Sequence, residues 1–324
     1  MAAGKIDRDG LTLSAEEEKG ADALDRLLDG VGVYRNSKQL KELFEFIRKF
    51  PCIGPFNAFL VHLQKPGSRF VATANEWEEK YGRTIKPGSR PLLVLKPFWP
   101  VDFIYELGDT EGEPFPEELL RPFKVDGCVT PKVFNRLQKN LLCYGIEYVE
   151  ADLGTSMAGS IENVSSQGRT LPFRQNKKVK IQYLLKVNRT LTQSDKFAII
   201  VHELAHLFCG HLGAVLDTWR PDRSKLNHEE KEFEAECIAY FVCGRLGIET
   251  HSEEYLYDCL ADDKVIPKIH LHLVFSVAGI VENMMIKSTP IRREVLLGKP
   301  PLPAYRKRKR TRSQLMDRLS NRVR

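Results

Sequence analysis

The sequence predicts an α+β fold, and three observations carry that prediction. Residues 178–187 alternate apolar and polar side chains, the period-two pattern of a strand with one buried face. Residues 192–212 and 228–246 repeat apolar positions at helical spacing. In the N-terminal third, short β-rich runs lie between short helical ones.

Taken in order, residues 1–35 are polar and acidic, with a helix expected over 15–28. Leu40, Leu43, Phe44, Ile47 and Phe50 predict a helix over 37–49, which Pro-Cys-Ile-Gly-Pro at 51–55 ends. A short helix over 56–64 follows, then strands at 70–73 and 91–98 with a helix at 76–81 between them. Residues 101–107 read as a strand, and 108–122 as a loop of Gly, Pro and acids. Val133, Leu137, Leu141 and Leu142 predict a helix over 130–143, and 146–149 a strand. The Gly/Ser-rich stretches 154–160 and 165–169 read as a mobile loop pair. Thr192 with Asp195 three residues on marks a helix start, Gly247 a helix stop, and 266–286 one last apolar helix. These elements divide into a polar segment 1–35, an α+β accessory domain 36–126, a main domain 127–298 and a tail 299–324.

Composition narrows the class. Hydrophobic residues are 42% and charged residues 28%, which excludes a wholly disordered chain. The cysteines number 7, an odd count with no CxxC pair, which argues against a disulfide scaffold and for a reducing compartment. The start lacks an apolar signal segment, and 269–286 carries His270, His272 and Glu282, so no membrane segment is expected and the localisation reads as cytoplasmic. The net charge of +6 is uneven. Residues 306–324 hold nine Lys/Arg and one Asp, so the rest of the chain is close to neutral. Any attraction for nucleic acid must come from that tail or from a local patch.

The chemistry concentrates in His202-Glu203-Leu204-Ala205-His206. On a helix, His202 and His206 stack one turn apart on one face, so both imidazoles reach one zinc ion. Glu203, one step round, takes the proton of a zinc-bound water as general base. A catalytic zinc needs a third protein ligand. Glu232, Glu234, Glu236 and His211 are the candidates. His211 falls about 140° round the helix from His206 and reads as a helix-end or surface histidine. Glu232, Ala235, Glu236 and Ala239 share a helix face whose alanines permit close packing on the HExxH helix. Glu232 is therefore the expected ligand and Glu236 its rival; otherwise Glu236 bonds a ligand histidine. Glu234 points away from that face and is expected in solvent.

Residues 178–245 resemble the ImmA/IrrE family of zinc metallopeptidases. The matching pieces are Asn188, HELAHLFCGH at 202–211 and EFEAECIAYFV at 232–242, with departures at Glu236 and Ile238. The resemblance implies a zincin-like domain holding one zinc ion, a gluzincin-type ligand set of His202, His206 and Glu232, and a protein substrate such as a helix-turn-helix repressor. It also implies a substrate-lining edge strand, which would place Val179, Ile181 and Tyr183 beside the metal. Residues 51–100 faintly resemble the N-terminal domain of ArdC-type antirestriction proteins, through Asn57, Leu60, Trp77, Gly82, Lys86 and Gly88. That domain is associated with single-stranded DNA, which makes Arg69, Trp77, Arg83 and Lys86 candidate contacts, with Trp77 as a stacking platform. The leading expectation is a zinc-dependent endopeptidase. The alternatives are a single-stranded-DNA-binding antirestriction-type protein, or the toxin or regulatory component of a two-gene system. Tyr240, His228, His251 and Tyr255 are the candidates for polarising a substrate carbonyl.

Overall fold

A computed structural model describes residues 37–50, 53–95, 101–116, 119, 129–154, 157–173, 177–213, 222–250, 252–261 and 266–296. The helix expected over 15–28, His251 and the basic tail lie outside these residues.

Helices α1 (Ser37–Lys49) and α2 (Pro55–Gln64) open the described chain. α1 follows from its sequence stripe: Leu40, Leu43, Phe44, Ile47 and the following Phe50 are all buried. A small antiparallel sheet of order β1-β4-β3 comes next, built from β1 (Val71–Ala72), β3 (Leu92–Val94) and β4 (Asp102–Glu106). Helix α3 (Ala74–Tyr81) sits beside it. Thr73 and Glu76 form a capping box at its start, and Gly82 ends it with φ +60°. The expected loop over 108–122 contains a strand instead: β5 (Thr110–Gly112) pairs antiparallel with β2 (Arg83–Ile85).

The second half begins with α4 (Pro131–Leu141), capped by Thr130. Its main sheet is β6-β10-β7, formed by β6 (Ile146–Ala151), β7 (Gly159–Asn163) and β10 (Tyr183–Asn188). β6 runs parallel to β10 and β7 antiparallel. A hairpin of β8 (Thr170–Phe173) and β9 (Lys177–Lys180) stands apart. Helices α5 (Gln193–Phe208), α6 (His228–Arg245), α7 (Ser252–Cys259) and α8 (Leu271–Ile286) complete the fold. α6 is the central helix: it packs on α5, α8, α1 and α7 and buries side chains nearly all round.

Residues 178–187 do not form one strand. Val179 lies in β9, paired with β8, while Tyr183 begins β10, the middle strand of its sheet. Between them Ile181 N–H donates to Arg169 O and Gln182 N–H to Gly145 O, so the chain changes partners there. The alternation survives because Val179, Ile181, Tyr183, Leu185 and Val187 all face inward. A period-two pattern reports burial and is blind to which strand lies alongside. None of Val179, Ile181 or Tyr183 lines an open edge. The outer strands of the β10 sheet are β6 and β7, and part of β7 falls in the stretch expected to be a loop.

The expected boundary near residue 126 does not divide the apolar core. One cluster runs from Leu40 and Phe59 on the N-terminal helices through Phe208 and Phe241 to Phe275 and Met284. Arg245 ties the halves together. Its guanidinium donates to Ile47 O (3.0 Å), Phe50 O (2.9 Å), Ile53 O (2.7 Å) and Glu282 Oε1 (2.6 Å).

Trp77 belongs to a satellite cluster with Phe70, Ala72 and Leu107, and is 0% exposed. Its Nε1–H donates to Tyr105 O at 2.9 Å. It therefore presents no face to a base, contrary to the stacking expectation: the local aromatics condense into a small core. Arg83 spends its guanidinium on Thr110, Gly112 and Glu113, bracing β2 against β5. Arg69 and Lys86 are exposed, with Lys86 Nζ donating to Gly108 O at 2.9 Å. Trp77→Ala should accordingly lower stability by about 3–5 kcal/mol, the range for a large aromatic removed from a core. A denaturant titration checks it, and an unchanged midpoint would contradict this placement.

Among the described residues no helix is long and apolar enough to cross a membrane.

Candidate metal centre

Helix α5 positions the two histidines. Thr192 caps it, its hydroxyl oxygen accepting from Asp195 N–H, and Phe197, Ile200, Val201 and Leu204 bury its inner face. That burial fixes the helix rotation and turns His202 and His206 toward α6. α6 starts at its own capping box, Asn227 with Glu230. Ala235 and Ala239, both buried, belong to the small-residue face expected to let α5 approach closely.

Three donor atoms converge between the helices. His202 Nε2 and His206 Nε2 lie 3.0 Å apart. Glu232 Oε2 is 3.5 Å from His202 Nε2, and Glu232 Oε1 is 3.4 Å from His206 Nε2. Ligands about 2.0–2.1 Å from one tetrahedral ion stand about 3.3 Å from each other. The donor set, two imidazoles and a carboxylate, and its spacing both fit a divalent metal such as zinc. The electrostatics agree with the fit. Histidine contacts hold the Glu232 carboxyl far below the usual range, against partial burial. Burial opposes a charge on His202, yet Glu232 and Glu236 draw its pKa up to about 10. The cluster favours positive charge at its centre.

Glu236, one turn beyond Glu232, takes the Nδ1 side of His202, with Oε1 at 3.3 Å. It also accepts a hydrogen bond from the buried Ser252 at the start of α7. A ligand imidazole whose far nitrogen donates to a carboxylate keeps one ring orientation and one tautomer. Glu203 points toward β7. Burial pushes its pKa up, while the Ile161 backbone N–H bonds its carboxylate and favours the charged form. Strand and helix come close here because residue 159 is glycine: a Cβ would lie 2.4 Å from Ile199 Cγ2 and 3.0 Å from Lys186 O. Asn188 fastens the preceding loop, its Nδ2 donating to Gly154 O and Met157 O.

The chain is structurally similar to the ArdC antirestriction protein of plasmid R388. Its metal-free crystal structure matches with a TM-score of 0.36 and 14% identity, over 72% of this chain and 85% of that one. The Mn(II)-bound structure matches with a TM-score of 0.33 and 14% identity, over 72% and 84%. No family model and no curated protein matches the chain.

Two expectations about this region are corrected. Glu234 is not in solvent: it is 0% exposed. It accepts from Arg223 Nη1 (2.5 Å) and Nη2 (2.7 Å), His211 Nε2 (3.0 Å) and His270 N–H (3.1 Å). Burial alone would raise its pKa; these partners bring it down to about 2. The expectation assumed a two-faced helix, whereas α6 is packed on both its Glu232 and its Glu234 sides. His211 is not a surface histidine either: it is 4% exposed, with Nδ1 3.0 Å from His206 Nδ1. The helix ends before it. Gly210, at φ +78°, turns the chain so that His211 N–H donates to His206 O at 3.0 Å. Counting 100° per residue past Phe208 thus misplaces it. The Cys-Gly at 209–210 was the available signal, since glycine after a helical run marks a left-handed stop.

Of the candidate carbonyl polarisers, Tyr240 is committed to Glu45, its hydroxyl donating to Oε1 at 2.7 Å. His228 is exposed, with Nδ1 3.5 Å from Glu232 Oε1. Tyr255 is half-buried and close enough to feel Glu232 and Glu236.

Proposed function

We propose that this chain is a zinc-dependent endopeptidase that hydrolyses a peptide bond in a protein substrate, such as a transcriptional repressor. The observation that carries the reading is the convergence of His202, His206 and Glu232 at 3.0–3.5 Å with Glu203 beside them against an open strand edge. His202, His206 and Glu232 would hold the ion. A zinc ion held there would supply Lewis acidity, lowering the pKa of a water and polarising a carbonyl. Glu203 moves the proton: it receives one as the nucleophile forms and returns it to the leaving amine. Its raised pKa suits that exchange, and Ile161 N–H aims the carboxylate.

β7 is the strand proposed to align the substrate. Its register turns the main-chain groups of Gly159, Ile161 and Asn163 to the side away from β10, where Glu203 takes the Ile161 N–H and the other groups are left to a peptide. An extended peptide adding along that side would run past Glu203, with main-chain hydrogen bonds giving affinity and side chains giving specificity. The antirestriction reading through single-stranded DNA loses the stacking residue it needed, because Trp77 is buried.

Metal analysis of the purified chain tests the ligand set. About one zinc per chain is expected, with strong loss of metal in His202→Ala, His206→Ala and Glu232→Ala. Retention of full zinc by Glu232→Ala would remove it from the set. Mapping of new protein N-termini in cells carrying wild type or Glu203→Gln identifies the substrate. No difference between those cells would count against a peptidase.

A further inference from the structure

Beyond the metal ligands themselves, the polar side chains of this region form a directed chain. Glu234 is the fixed end. Arg223 grips both of its oxygens, so the carboxylate is ionised and only accepts. His211 Nε2, 3.0 Å from Glu234 Oε2, must therefore carry a proton and donate. Arg223 already matches the Glu234 charge, so a second buried cation at His211 would stand uncompensated. A neutral imidazole has one N–H, which leaves His211 Nδ1 as an acceptor. The atom facing that acceptor, at 3.0 Å, is His206 Nδ1, which must then be the donor. With Nδ1–H so engaged, Nε2 is the nitrogen of His206 that a metal would take, and it is the one aimed at His202 and Glu232.

We propose that His211 and Glu234 are positioning residues for the metal site: they hold His206 in its Nδ1–H tautomer, with the Nε2 lone pair directed at the metal. The inference rests on the metal reading above. It makes the two ligand histidines alike in principle and different in means. His202 is set by the carboxylate of Glu236 directly, and His206 by a carboxylate acting through an intervening imidazole. The chain also links the end of α5 to the middle of α6, so the packing that orders Glu234 orders the ligand on the neighbouring helix. Cys209, His211 and Glu234 also lie within 4.8 Å of one another, close enough for an ion. Arg223 occupies that corner with positive charge of its own, which favours a hydrogen-bond relay over a second cation.

Two measurements test this. The first is a long-range proton–nitrogen correlation spectrum of the metal-free, 15N-histidine-labelled full chain, with His206 and His211 assigned by substitution. Protonated Nδ1 in His206 and protonated Nε2 in His211 are expected, whether or not the protein cleaves peptides. A His206 with no proton on Nδ1 overturns the proposal. The second is zinc affinity by chelator competition. His211→Phe should bind about 10–100-fold more weakly, the usual loss when a ligand's hydrogen-bond partner is removed. His211→Asn, whose Oδ1 stands as many bonds from Cα as Nδ1 does, should restore affinity to within a few-fold. Wild-type affinity in His211→Phe, or a second equivalent of zinc that disappears in Cys209→Ser, overturns the relay. Should His211→Phe not fold, the tautomers of the wild-type chain decide. Failure of the wild type to bind zinc at all would strike the proposed function instead.

Discussion

Glu203→Gln should keep its full complement of metal and lose peptide hydrolysis by about 10²–10⁴-fold, the contribution of a positioned general base. The substitution preserves shape, and a Gln amide oxygen still accepts from the Ile161 N–H that the carboxylate now uses. Neither His202, His206 nor Glu232 loses a contact, so metal content and fold are expected to hold. What disappears is the basic oxygen that, in the proposed reaction, would exchange a proton with water and leaving group. Single-turnover cleavage of the identified substrate, with metal content measured on the same sample, checks the expectation. A fall in kcat with metal retained separates a proton-transfer role from ligation. Loss of metal would instead make Glu203 a ligand, and wild-type turnover would remove it from the mechanism.

A loss of stability as large as that of Trp77→Ala is expected of Glu234→Ala, about 3–5 kcal/mol, the cost of breaking a buried ion pair from one side. The carboxylate is fully buried and has four donors: two from Arg223, one from His211 and one from the His270 backbone. Alanine would leave the Arg223 guanidinium, whose side chain is 13% exposed, without its counter-charge. Tm should fall by roughly 4–7 °C for a chain of this size. Glu234→Gln should lose less, because an amide oxygen still accepts while only the charge is gone. The double variant with Arg223→Ala should be less destabilised than the sum of the two singles, since the second change removes the stranded charge. Thermal melts of the wild type and the four variants test the ordering. Additive losses would mean that Arg223 and Glu234 do not act as a pair.

Some of this structure is legible without coordinates because it depends on local repeat alone. The stripe Leu40, Leu43, Phe44, Ile47 gives α1 to the residue, and Thr192 with Asp195 gives the start of α5. His202 and His206 share a face through helical spacing, and Glu232 and Glu236 share another for the same reason. Their meeting required only that the two helices pack face to face, which Ala235 and Ala239 already suggested. The misplaced residues have one thing in common: each depends on contacts remote in sequence. Trp77 reads as a platform until Phe70, Tyr81 and Phe115 are seen to close around it. Val179 and Tyr183 read as one strand until their partners prove to be β8 in one case and β6 with β7 in the other.

By itself, then, the sequence determined the α+β class, the helix carrying the two histidines, and the face from which Glu232 approaches them, because helix period and side-chain size are written in neighbouring residues. Tertiary structure alone decided that α6 is packed nearly all round, so that Glu234 became a buried anchor bound by Arg223 and His211. It also decided that the open edge beside Glu203 is β7 and that the N-terminal helices share the main core. The physical reason is that burial of a charge is tolerated only where partners from distant segments arrive together, and no local pattern announces their arrival.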